Sequence, residues 1–185
     1  MQDGPRESLE AQFSDMYGSD WKRENFNTIW DYQLDTRTWE VVGKSPLMNR
    51  EGPHAPLGME FPQLNRSYVG KKNRYTYVLA VDFDRDDKKG GKMLNCIQKY
   101  DSQSGVVKTF ELPPGQVPGD TYFIPRKGGV AEDDGYLVSF VYEAERHRSS
   151  VLVLDAKTFE GPAVAVVKLL SHVPLHFHGC WAPKV

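Results

Sequence analysis

The chain has 185 residues, is 39% hydrophobic, and carries a formal net charge of -2 with acidic and basic residues interleaved. That is about one domain's length, and the charge balance offers no nucleic-acid surface. Two cysteines with no CxxC pair exclude a disulfide framework, and the longest apolar run, PAVAVVKLL, is too short and interrupted to cross a bilayer.

Residues 1–27 are polar and mixed in charge, without a secretory or transit pattern, and read as an irregular leader that begins mid-protein. With no signal peptide, an intracellular setting, cytoplasmic or plastid, is favoured. From residue 28 onward, period-two alternation predicts strands rather than helices. TIWDYQL alternates, DTRT turns and WEVV resumes, and TYVLAVDF and MLNCIQKY flank a DDKKGGK tip. GYLVSFVYEA, VLVLD and AVAVVKL follow, with proline, glycine and aspartate between them. The basic DDKKGGK cluster reads as a solvated hairpin tip rather than a phosphate site. The single sequon, Asn65-Arg66-Ser67, reads as chance.

A weak internal repeat organises these strands. QLDTRTWEVV, KYDSQSGVVKTF and VLDAKTFEGPAVAVV each place a strand before Asp35, Asp101 or Asp155, then a tight turn, then a second strand. The aspartates stand about 55 to 65 residues apart, near a propeller-blade period with insertions. Aspartate also suits any Asx turn between strands, so a sandwich or a cupin-type barrel stays open on pattern alone.

The familiar catalytic signatures are absent: no GxGxxG, no phosphate loop, no GxSxG elbow. VPLHFHGCW, Val173 to Trp181, is the most distinctive stretch. In an extended segment His176 and His178 share a face, and imidazole suits iron, zinc and copper. Cys180 shares that face, but adjacency alone does not make a nucleophile. His54, His147 and His172 lie in polar, loop-like contexts.

VPLHFHG resembles the C-terminal VPxxFHG signature of the carotenoid cleavage oxygenases. Three further segments agree in the same order: MEFPQLN with RSYVGKKNRYTYV, ELPPG with GDTYFIPR, and AEDDGYLVSFVY. The resemblance implies an all-β chain forming the C-terminal part of a seven-bladed propeller, with residues 28–185 as its C-terminal blades. It implies Fe(2+) held by four histidines, of which His178 is the last; the other three belong to motifs upstream of this chain. His176 falls where the family has a small residue. Glu60 matches a glutamate that supports a ligating histidine. Asp120 stands where the family has the glutamate supporting the last histidine, one methylene shorter. Phe61 and Phe177 are candidate substrate-lining aromatics, with core packing an equal alternative.

The function so implied is oxidative cleavage, with O2, of a carbon–carbon double bond in a carotenoid, apocarotenoid or stilbene-like substrate. The chain alone is expected to be inactive, lacking three iron ligands; no nucleic acid is expected, and peripheral membrane contact would run through the missing part. The competing readings are a small cupin-like metal enzyme using the His176/His178 pair and a non-catalytic propeller fragment. EDDG, Glu132 to Asp134, is expected to be a turn before a strand rather than a calcium loop.

Overall fold

The computed structural model describes residues 29–46, 57–82, 94–174 and 177–182. The leader, the DDKKGGK tip, His54 and His176 lie outside the described residues. Ten strands are present among those described: β1 (Trp30–Leu34), β2 (Val41–Pro46), β3 (Leu57–Gln63), β4 (Tyr75–Val81), β5 (Cys96–Asp101), β6 (Val107–Glu111), β7 (Gln116–Pro125), β8 (Gly135–Glu143), β9 (Arg148–Asp155) and β10 (Ala165–Lys168).

They form three antiparallel sheets: a β1-β2 hairpin, β3-β4-β5-β6, and β7-β8-β9-β10, each with sequence neighbours paired. No strand crosses from one sheet to another among the described residues. A cupin-type barrel interleaves strands between its sheets, whereas an up-and-down meander of four is a propeller blade. The architecture is all-β and propeller-like, as the sequence led us to expect.

The three repeats are hairpins with aspartate-built turns. Asp35 Oδ1 accepts the Arg37 N–H at 2.8 Å, Asp101 Oδ1 the Gln103 N–H at 3.0 Å, and Asp155 Oδ1 the Lys157 N–H at 2.9 Å. Each carboxylate tightens the turn that reverses the strand, and Asp155 Oδ1 also accepts the Thr158 N–H at 3.0 Å. In both four-stranded sheets this hairpin is the last one, β5-β6 and β9-β10.

The two blades pack face to face. Tyr77, Leu79 and Ile97 of one sheet meet Phe123, Leu137, Val141, Leu152 and Leu154 of the other. On the far face of the first sheet Met59, Val78, Ala80, Cys96 and Tyr100 form a second cluster, which Ile29 helps to cover.

An ionic staple joins the blades through the EDDG turn. Lys99 Nζ lies 2.7 Å from Asp133 Oδ2 and 2.8 Å from the Ala156 carbonyl, and 4.2 Å from the Tyr75 ring centre. The Glu132 carboxylate accepts the Arg74 and Tyr75 N–H groups at 2.8 Å each, and Asp134 accepts from Arg126 Nε at 2.9 Å. All three carboxylates are thus engaged by protein donors, which is the behaviour of a turn and not of a cation loop. Asn65 of the sequon is buried, its amide spent on the Glu132 carbonyl and the Ser67 N–H.

Candidate metal-ligand site

β3 and β7 are the first strands of their blades and contact one another. Both carry Pro and Gly, which regular central strands reject but first or edge strands accept. In β7 the register shifts between Pro118 and Thr121, so Asp120 sits in a bulge.

Asp120 is fully buried. A buried carboxylate is costly unless hydrogen-bonded. Its Oδ1 accepts the Thr121 N–H at 2.9 Å and the Gln63 side-chain amide at 3.4 Å. Oδ2 faces His178 Nδ1 at 3.4 Å.

The tail after β10 brings His178 to that carboxylate. Ser149 anchors it: the Leu169 N–H donates to the Ser149 carbonyl at 2.9 Å, the Ser149 N–H to the Ser171 carbonyl at 3.2 Å, and the Val173 N–H to Ser149 Oγ at 2.9 Å. The His178 side chain is 71% exposed, against 1% for Asp120. One ring nitrogen therefore meets a buried acceptor while the rest of the imidazole faces outward. An Nδ1–H donated to Asp120 leaves the Nε2 lone pair free for a metal, the usual way a carboxylate fixes a ligating histidine.

Phe61 stands against the same ring, edge-on with centroids 5.4 Å apart, and 6.1 Å from the Phe177 ring. Its backbone has φ of 53°, in the left-handed region, directly before Pro62. Both features are disfavoured for a bulky residue before proline, a strain of about 1–3 kcal/mol. Register shifts flank Glu60 on both sides, so strict alternation fails. Met59 joins the outer cluster whereas the Phe61 ring packs on the inter-blade core. The strain aims an apolar ring at His178. Glu60, half-buried on β3, pairs with Leu79.

The structure thus brings Asp120, Phe61, Phe177 and His178 together. Among the described residues no group of three or more His, Cys, Asp or Glu could hold a metal ion. His147 and His172 stack on each other, centroids 4.5 Å apart, and Tyr142 hydrogen-bonds His147 Nδ1 at 2.8 Å.

Two residues escaped the sequence reading, Gln63 and Tyr122. Tyr122 follows Asp120 by two positions, beyond the register shift that holds Asp120. Burial, the Asp120 charge and a hydrogen bond to Asp120 push its hydroxyl up to about 12, while a bond from the Gly179 backbone works the other way. Tyr122 also lines a cavity of about 400 Å³ with Ile124, Val138, Phe140, Val173 and Trp181.

The profile of the retinal pigment epithelial membrane protein family matches residues 2–183. The chain is 34% identical over 168 residues to apocarotenoid-15,15'-oxygenase of Synechocystis, covering 88% of this chain and 32% of that protein. It is 31% identical over 172 residues to carotenoid 9,10(9',10')-cleavage dioxygenase of Crocus sativus, covering 85% and 29%. Among solved structures, cobalt-substituted Synechocystis apocarotenoid oxygenase superposes with a TM-score of 0.74 at 33% identity, covering 89% of this chain and 32% of that one. The chain spans about a third of the length of these relatives. It belongs to the retinal pigment epithelial membrane protein (carotenoid cleavage oxygenase) family.

Proposed function

We propose that this chain supplies part of an iron(II)-dependent oxygenase that cleaves a carbon–carbon double bond of a carotenoid or apocarotenoid, with a stilbenoid as the next substrate class. The observation that carries this reading is His178, held through Nδ1 by the buried Asp120 and walled by Phe61. The relatives named above act, by their names, on carotenoids and apocarotenoids, and one of them takes cobalt.

The residues present fit one corner of an imidazole-ligated iron site. His178 would offer Nε2, and the other imidazoles would come from portions of a longer protein. Iron bound there would supply a site at which O2 is activated. The rest falls to the protein: Asp120 holds the proton on Nδ1 and aims the ring, while Phe61 and Phe177 give an apolar wall for a polyene. Glu60, on the neighbouring strand β3, would by the family resemblance support a second ligating histidine.

The test is turnover by the full-length protein on an apocarotenoid and on a stilbenoid, before and after chelation. Two carbonyl products that vanish on chelation and return with ferrous iron are expected. Metal-independent cleavage, or none in a folded, iron-loaded protein with either substrate class, would contradict the assignment.

A further inference from the structure

Asp120 is one methylene shorter than the glutamate the family resemblance places there, and its contact with His178 is long at 3.4 Å. A short carboxylate has less reach, so something else must fix the gap between β7 and the tail. Tyr122 stands in that gap. Its hydroxyl meets the Asp120 carboxylate and the Gly179 backbone, the residue next to His178. The approach is close: a Cβ on Gly179 would lie 2.7 Å from Tyr122 Oη and 3.1 Å from Cζ. Glycine is needed there for space. The ring lines an open cavity together with Ile124, Val138 and Phe140 of the same sheet.

We propose that Tyr122 is a positioning residue, its hydroxyl bridging Asp120 and Gly179 so that the short carboxylate and the His178 ring are held at their working separation. This rests on the reading of His178 as an iron ligand. Tyr122 donates to the carboxylate and accepts the Gly179 N–H, tying the support and the supported residue to one atom. Loss of the hydroxyl frees the tail to drift from Asp120, and a longer carboxylate compensates by reaching further.

The experiment uses the full-length protein with Tyr122→Phe, Asp120→Glu, the double variant, Gly179→Ala and His178→Ala. Anaerobic titration with ferrous iron gives affinity, and amide hydrogen exchange of the metal-free protein reports on Gly179. Tyr122→Phe keeps the ring and is expected to weaken iron binding about ten- to a hundredfold, to speed exchange at Gly179, and to be rescued by Asp120→Glu. Gly179→Ala, which drives the ring away, should reproduce the iron loss. Faster exchange at Gly179 with unchanged iron affinity would reduce Tyr122 to a structural brace and overturn the proposal. Unchanged affinity and exchange together would also overturn it. If His178→Ala keeps its iron, the ligand reading itself has failed; if it loses iron while Tyr122→Phe does not, only the tyrosine inference has.

Discussion

The two four-stranded sheets are built alike and buried differently. In the first, β4 and β5 are buried almost end to end, because apolar side chains are covered on both faces. In the second, β8 alternates strictly between buried and half-exposed positions. A sheet with one face in water normally carries polar residues on that face. Here the half-exposed positions of β8 are Tyr136, Val138, Phe140 and Tyr142, opposite Val153 and Val151 of β9, and Val167 of β10 is exposed. The open face has the chemistry of a covered one. The relatives are β-propellers roughly three times as long, and another blade against this face would complete the symmetry between the sheets.

The largest way to break the pair of sheets is at their ionic staple. Lys99→Met leaves the Asp133 carboxylate buried without its cation, since the two side chains are 6% and 10% exposed. We expect a loss of about 3–5 kcal/mol, measured as a fall in the denaturant midpoint of the full-length protein. An unchanged midpoint would mean the blades do not rely on this contact.

Next is a matched pair on β8. Leu137→Ala, in the inter-blade core, should cost about 2–5 kcal/mol. Phe140→Ala, three residues along on the open face, should cost far less in the 185-residue chain. In a full-length protein that covers this face, the two penalties should converge. Persistent inequality there would show that the face stays open.

Acid should act on both sheets. Asp101 in the first is held well below the usual carboxylate range, chiefly by the Arg74 side chain and further by Ser104 and Gln103. In the second, burial opposes the lowering of Asp155 and Glu143 but is outweighed, by Thr158 and Lys157 N–H groups for Asp155 and by Lys168 and Ser150 for Glu143. These folded-state values lie below the unfolded ones, so the unfolded chain binds more protons in acid. The stability they contribute is present above about pH 4 and is lost as pH falls below it. Midpoints compared at pH 6 and pH 3 should show the drop, and Asp101→Asn should shrink it.

The smallest effect concerns the β1-β2 hairpin. Arg37 is 88% exposed and pairs with Asp35 at 3.2 Å, so Arg37→Ala should leave the midpoint unchanged.

The same contrast explains what the sequence could reveal. β4, β5, β8, β9 and the three aspartate turns announce themselves by alternation and turn chemistry, and their bounds shift by only a few residues. β3 and β7 do not. Gly58, Pro62, Pro118 and Gly119 interrupt the pattern, and the bulges around Glu60 and Asp120 break the period on which strand recognition rests. These are the strands that carry the site. Asp120, Glu60 and His178 came from motif resemblance, whereas Phe61's left-handed backbone and Tyr122's bridge arise from tertiary packing that no local pattern encodes.

His178 is proposed above as a metal ligand aimed by Asp120. The most direct test is the iron content of full-length protein purified anaerobically as wild type, His178→Ala and His172→Ala. His178→Ala is expected to lose its iron while remaining folded, and His172→Ala, exposed beside His147, is expected to keep it. Full iron occupancy in folded His178→Ala would contradict it.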